Sequence, residues 1–536
     1  MPGGGRYRKE AYKMAFSFFK KKNHADRLFI NARLVTEDEE LESCTWLAVK
    51  DGRIMAIGEE DTWEDLKGKE TDIVDLDGKY LSPGLIEAFG DPADAIFSDI
   101  SLKADPSWDL ETLMEHIEVY AEEHKDEGFC FVTGAGMQLF GGPRSRGAAE
   151  DEPDDEEGED LPEEVEEAPE ESEDAAEEAS EGAPEAGAEE SSSPAVSFTD
   201  ALDEACKGLP TVIMFEDGLS LRLSSSAAEM VTARADEIGA RTISPELALD
   251  TVVAVDYSSR ALPLMSCAME MAEKGCTAVF GTPSSSFTGK LYKDLVIDQI
   301  SCGLLKQRYF GSTVFERMVA PSTVMYMMNR ARTECTELDG NMLYDTIVLR
   351  ASSDTSSFRY FKPEYMARIL EDAADRGFSA RVYALDRQAA LSALEIMGDV
   401  SSRYKKQSFI LFTGETLTED EMSGMFTGSV IIYPMPRPEE KTGEDGWLQK
   451  TAEAARDCGV RHMVGYLEEG MTADLAVFDE DPRSAASPLK AYMTVLSGEP
   501  VYIRGTSSLD DWTDAMKEQL EGFAADFDIP EEEAEE

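Results

Sequence analysis

Residues 465–482 read GYLEEGMTADLAVFDEDP. The run from Ala473 to Phe478 is short, apolar and β-prone, and an acidic turn ending in Pro482 closes it. Two more runs of the same texture follow, AYMTVLSG (491–498) and EPVYIRG (499–505). The other end of the chain has a matching texture. RLFINARLVT (27–36), TWLAVKDG (45–52), RIMAIG (53–58), DIVDLDG (72–78) and KYLSP (79–83) are short strands punctuated by Asp-Gly hairpin signals at 51–52 and 77–78. The β segments at the two ends are expected to join into one small β domain, 27–83 plus 465–506, that is complete only when both meet.

Between them the texture alternates. LETLMEHIEVYAEEH (110–124), SSAAEMVTARADEIG (225–239), LPLMSCAMEMAEKG (262–275) and PEYMARILEDAADRG (363–377) read as helices. FCFVTGAG (129–136), TVIMFEDG (211–218), CTAVFGT (276–282), TIVLR (346–350), ARVYAL (380–385), SFILF (408–412) and SVIIYP (429–434) read as buried strands. Strands separated by such helices imply parallel βα units. The class is α/β, and residues 84–464 are expected to form a TIM-like (β/α) barrel, complete or short of its last units.

Three stretches stand outside that plan. Residues 1–26 form a basic arm, expected to be a tail; its apolar run Met14–Phe19 ends in Lys20, Lys21 and Lys22 with no small-residue cleavage site. Residues 147–195 interrupt the barrel section; 23 Asp or Glu and no Lys or Arg fall between 150 and 190. So few large apolar side chains cannot offset ordering entropy, and a disordered acidic insertion is expected, either solvating or a lure for a basic partner. Residues 507–536 are an acidic tail.

The formal charge of the 536 residues is −60, and the part outside the acidic stretches is still acidic, which excludes phosphate-backbone binding by the folded part. No apolar run reaches the ~18 residues that a membrane span needs. The eight cysteines include no C-x-x-C pair. They read as buried thiols of a reducing compartment, and a cytoplasmic location is expected.

The arrangement resembles the amidohydrolase superfamily, in its amidohydrolase-3 branch of imidase-like and formamide-deformylase-like proteins. The resemblance is carried by residues 31–58 with 72–91, by FEDGLSLRLSSSAAEM (215–230), by ARVYALDRQAALSALEIM (380–397), and by the opening stretch with TVLSGEPVYIR (494–504). It implies a β-sandwich plus barrel, with Zn or another divalent metal at the barrel mouth activating water against amide, imide or formamide C–N bonds. Position by position, the ligands are replaced. The His-x-His pair of strand one falls on Phe89-Gly90-Asp91, a strand-three His-Asp pair on Phe280-Gly281, the strand-five His on Tyr383, a strand-six Glu-His pair on Leu411-Phe412, and a substrate-loop His on Leu219. Between Pro434 and Thr451 the chain is too short for the family's last barrel units.

The histidine census agrees. His24, His116, His124 and His462 are the four in the chain. His116 and His124 lie eight residues apart on one helical run, ~12 Å along the axis, too far to share an ion. An all-carboxylate site would draw on Glu87, Asp91, Asp94, Asp99, Asp354 and Asp386, with Asp91 and Asp386 the candidate catalytic residues. The run Gly281–Lys290 lacks Walker spacing and is rejected as a phosphate loop. The Met-rich run Val324–Met328 reads as helix core, with a soft partner surface as the alternative.

The expectation is therefore a non-catalytic binding or assembly protein, with no cofactor and with Phe89, Leu219, Phe280, Tyr383 and Phe412 in place of ligands at the mouth. The alternative is an active C–N hydrolase with a carboxylate-based metal site. The partners these readings admit are a small molecule in the mouth, a basic protein on the acidic insertion and a second copy of the chain.

Overall fold

The fold is that of a computed structural model. It describes residues 24–506 except 89–91, 98–99, 137–138, 140–196, 216–219, 241–242, 254–256, 282–285, 302–303, 305, 316–318, 337, 339, 354–360, 415, 423–427, 435–440 and 486–488. Two small sheets hold the chain ends. One has the order β4-β3-β1-β5, formed by Arg53–Gly58, Trp46–Lys50, Arg27–Ile30 and Asp72–Asp75. The other has the order β2-β6-β18-β19-β20, formed by Arg33–Leu34, Tyr80–Pro83, Leu475–Phe478, Met493–Leu496 and Glu499–Ile503. In the second sheet β6 pairs antiparallel with β18, Leu81 opposite Val477. The N-terminal and C-terminal strands therefore share one ladder. Both sheets bury apolar side chains in one core that includes Phe29, Leu47, Leu81, Leu475 and Val495.

The main sheet is parallel throughout, in the order β17-β16-β15-β14-β13-β12-β7. Its strands are β7 (Leu85–Glu87), β12 (Cys276–Phe280), β13 (Arg308–Phe315), β14 (Met342–Ala351), β15 (Ser379–Ala384), β16 (Phe409–Thr413) and β17 (Val430–Pro434). Among the described residues this is a curled half-barrel of seven strands, with no eighth between β17 and β7. FCFVTGAG and TVIMF do not join it. They are β9 (Cys130–Ala135) and β10 (Thr211–Phe215), in a separate sheet with β8 (Leu102–Lys103) and β11 (Leu221–Leu223). Period-2 apolarity identifies a strand but not its sheet. Helices α1 (Leu110–Glu123), α2 (Phe198–Ala205), α3 (Ser225–Ile238) and α4 (Pro245–Val252) belong to this inserted unit, which separates β7 from β12 in the chain.

The helices α5 (Tyr257–Glu273), α6 (Ser286–Ser301), α7 (Pro321–Glu334), α8 (Pro363–Asp375), α9 (Arg387–Arg403) and α10 (Glu419–Met422) follow the connections between strands. The Met-rich run lies on α7. Val324, Met325 and Met328 are buried there against β14 and α8, whereas Tyr326 and Met327 face solvent.

Gly84, in the Pro-Gly junction that leads into β7, has a definite steric reason. A Cβ there would lie 2.0 Å from Thr277 Oγ1 and 2.7 Å from Thr277 Cβ on the neighbouring strand. Glycine alone allows β7 and β12 to approach this closely.

One buried ion pair connects the main sheet to the terminal strands. Arg308 Nε donates to Asp474 Oδ2 at 2.9 Å and Nη2 to Oδ1 at 3.2 Å, both side chains being about fully buried. Nη2 also donates to Ser497 Oγ at 2.9 Å, and the Ser497 N–H to Asp474 Oδ1 at 2.8 Å. The Asp of the Thr-Ala-Asp-Leu run is thus a structural anchor, satisfied on both oxygens.

Candidate functional site

The site is built on β15 and its neighbours. Gly377, with φ +82°, ends α8, and the Phe378 N–H closes back on Ala373 O at 2.9 Å. The strand SARVYA then alternates. Ala380, Val382 and Ala384 pack outward with Leu411 against α7, α8 and α9. Arg381 and Tyr383 take the other face. Asp386 N-caps α9, accepting from the Ala389 N–H at 2.9 Å.

On that inner face the side chains are aromatic. Tyr383 stacks on Phe412 with centroids 4.5 Å apart and planes at 7°, and Phe412 lies 6.0 Å from the ring of Tyr433. Phe280 stacks on Phe310 at 5.3 Å. Between these groups Arg381 is buried. Its guanidinium carbon is 4.4 Å from the Phe280 centroid, and Nη2 donates to Ala88 O at 3.4 Å and toward Cys458 Sγ at 3.5 Å.

The interior is filled from below by a segment that the sequence reading passed over. Two short helices, α11 (Gly443–Gln449) and α12 (Ala452–Asp457), run where closing strands would be expected. The Ile86 N–H donates to Lys450 O at 2.7 Å, Tyr433 Oη to Asp457 Oδ2 at 2.7 Å, and Ser408 Oγ to Asp457 O. Ala454, Ala455, Cys458, Val460 and Val464 pack with Ile86, Ala278, Phe280 and Phe310. Trp447 on α11 is buried, and its indole N–H donates to Ser82 Oγ at 2.9 Å. Burial pushes the Cys458 thiol up to about 12, against the pull of Arg381, so it stays protonated and unreactive. Burial, together with the hydrogen bond to Asp457, also raises the Tyr433 phenol above its ordinary value.

The expected site residues fall into three groups. Phe280, Tyr383 and Phe412 all line the inner face, Tyr383 and Phe412 in direct contact. Phe280 ends the second strand of the main sheet rather than the third, because the inserted unit contributes none to it. Phe89, Asp91 and Leu219 lie outside the described residues, as do Asp99 and Asp354. Asp386 has both oxygens engaged. Oδ1 takes the Ala389 N–H, and Oδ2 takes the Ser353 N–H at 2.7 Å and the Ser352 hydroxyl at 2.9 Å. Burial acts to raise its pKa, but these donors outweigh it and hold the carboxyl below its ordinary value. A depressed aspartate contributes stability above its unfolded pKa, and that contribution is lost as pH falls through the folded value. Asp386→Ala is expected to cost about 1 kcal/mol by loss of the cap, read as a lower urea midpoint at neutral pH.

The histidines stand apart. His116 Nδ1 and His124 Nδ1 pair with the carbonyls of Thr112 and Tyr120, one turn back, and their rings stack on Trp108 and Tyr120. His24 is exposed near Gly68, and His462 lines a cleft at the other end of the main sheet.

A divalent metal needs lone pairs from N, S or O. Phe280 and Phe412 offer none, and the guanidinium of Arg381 presents donors only. Among the described residues no three His, Cys, Asp or Glu side chains converge. The described side chains of the inner face do not fit a metal. The residue the sequence reading missed is Arg381; an arginine inside the apolar run ARVYAL was the available signal.

No helix among the described residues is long and apolar enough to cross a membrane. No family model matches the chain. The exoenzymes regulatory protein AepA of Pectobacterium carotovorum is 25% identical over 122 residues, 22% of this chain; the match spans only 26% of that protein. Among solved structures, an uncharacterized metal-dependent hydrolase from Pyrococcus horikoshii is similar with a TM-score of 0.49 and 12% identity, covering 86% of this chain and 98% of that one. Triazine hydrolase from Arthobacter aurescens gives 0.48 and 11%, covering 92% and 98%. An adenosine deaminase from Xanthomonas campestris gives 0.46 and 10%, covering 94% and 99%.

Proposed function

We propose that this chain is a non-catalytic binding or assembly protein built on an amidohydrolase-like frame, a terminal β-sandwich with an incomplete barrel. The reading is supported by the motifs at both chain ends and by the parallel half-barrel between them. One observation carries the loss of catalysis. The buried Arg381 guanidinium sits on the inner face between Phe280 and Cys458, beside the Tyr383–Phe412 stack. A donor-only cation and two phenyl rings occupy positions to which the resemblance assigns ligands or their neighbours. An activated water would have no metal there to lower its pKa.

Metal analysis of the purified full-length chain tests the proposal. Zn, Mn and Fe are expected far below one equivalent, and chelation should leave the melting temperature unchanged. One bound equivalent lost in Asp91→Ala, with turnover of a cyclic imide or a formamide, would replace this reading by the carboxylate-site hydrolase.

A further inference from the structure

Each described sheet ends in two edge strands, and an unpaired edge is a template for the addition of another strand. Charged side chains on the edge are a common protection. Arg33, Arg53, Asp72, Lys103, Arg222 and Glu499 stand on the edge strands of the three smaller sheets, and Glu87 stands on β7 at one edge of the main sheet. β17, at the other edge of the main sheet, reads VIIYP and carries no charge. The uncharged stretch continues past the strand at both ends, from Met422 to Pro436.

The two edges of the main sheet also differ in how they are covered. At β7 the Ile86 N–H donates to Lys450 O at 2.7 Å, and Ala454 and Ala455 pack in one apolar cluster with Ile86. At β17 the backbone groups of Val430, Ile431 and Ile432 have no hydrogen-bond partner outside β16 among the described residues. All of β16 is buried, whereas Val430 to Tyr433 are only half-buried and Pro434 is exposed. Pro434 has no N–H to give, so the usable edge is Val430–Tyr433.

We infer that β17 is the seam of a homodimer, in which the edge strands of two copies pair antiparallel about a two-fold axis and join the two main sheets into one. The two-fold makes the contact self-complementary, because the same short edge meets itself. Charge selects the place. Two copies at −60 each repel over most of their surface, and approach along an uncharged run opposes this least. A foreign strand would find no charged group on β17 to recognise, whereas a second copy brings an edge of equal length and equal apolarity. The inference does not depend on the loss of catalysis. A metal found at the mouth would overturn that proposal and leave the seam as it is.

The test is sedimentation velocity on the full chain, with hydrogen exchange read over 430–433. A dimer is expected at about 20 μM, dissociating on dilution. Salt should strengthen it by screening the repulsion between two acidic copies. Ile431→Lys should weaken it at least tenfold, since like charges then meet across the axis. Ile431 lies outside the apolar cluster that takes Val430 and Ile432, so the substitution spares that core. In the unaltered chain, amides within 430–433 should exchange at least tenfold more slowly in the dimer than on dilution, a readout that stands even if the variant fails to fold. A monomer at about 100 μM, a dimer weakened by salt, or an unchanged dissociation constant in a folded Ile431→Lys would each overturn the assignment. So would a dimer whose 430–433 amides exchange as fast as in the monomer, which would place the interface elsewhere. Protection of these amides at every dilution would show the edge covered by the chain itself, and would overturn the second copy as its occupant.

Discussion

Asp474→Ala is expected to cost about 3–5 kcal/mol of stability, the usual penalty for leaving one member of a buried ion pair without the other. The mechanism is specific. The Arg308 guanidinium would stay fully buried and lose its bidentate partner, while Gly340 O and Ser497 Oγ remain as uncharged acceptors. The Ser497 N–H would lose its acceptor as well, loosening the turn between β19 and β20. Urea denaturation followed by circular dichroism reads the loss. Arg308→Met combined with Asp474→Leu separates charge from packing, because removing both partners leaves no buried charge. The double variant should recover most of the loss and show strong non-additivity. Equal losses in the single and double variants would show that the pair matters only as filler.

Trp447→Ala should fall in a similar range, about 3–5 kcal/mol, because it empties a fully buried indole site. Trp447 is 3% exposed and packs in the largest apolar cluster, and its N–H is held by Ser82 beside the Pro-Gly junction. It anchors α11, and through α11 the helix α12 that fills the half-barrel. Trp447→Phe keeps most of the packing and loses the hydrogen bond, so about 1 kcal/mol is expected. The two variants differ in a second readout. Limited proteolysis should cut Trp447→Ala between 443 and 464 well before it cuts Trp447→Phe, because α12 is held in place from that side.

Much of the architecture can be read from local signals. The composite ladder of β6 and β18 follows from short β-prone runs at both ends, and α1, α3 and α8 from their apolar periodicity. Three things resist such reading. RYFGSTVF, which became β13, starts with a buried arginine and holds a glycine, so neither alternation nor apolarity marks it; its Arg308 is explained only by Asp474, 166 residues away. β9 and β10 look like main-sheet strands because the partner of a strand is a non-local property. The fill of the half-barrel by α12 is invisible because AEAARD is too short and too alanine-rich to announce a core role. At the candidate site, the resemblance points to Phe280, Tyr383 and Phe412, and their common face shows only in the structure. Arg381 was legible as a residue but not as the neighbour of Phe280, which lies on a strand three positions removed across the sheet.

The ladder joining β6 to β18 has a consequence for biosynthesis. During translation, Tyr80–Pro83 emerges almost 400 residues before Leu475–Phe478. For most of that interval the nascent chain carries an unpaired strand edge with nothing of its own to cover it. Chaperone dependence and loss of soluble yield on early termination are the natural outcome, since this sheet is completed only after the last strands leave the ribosome.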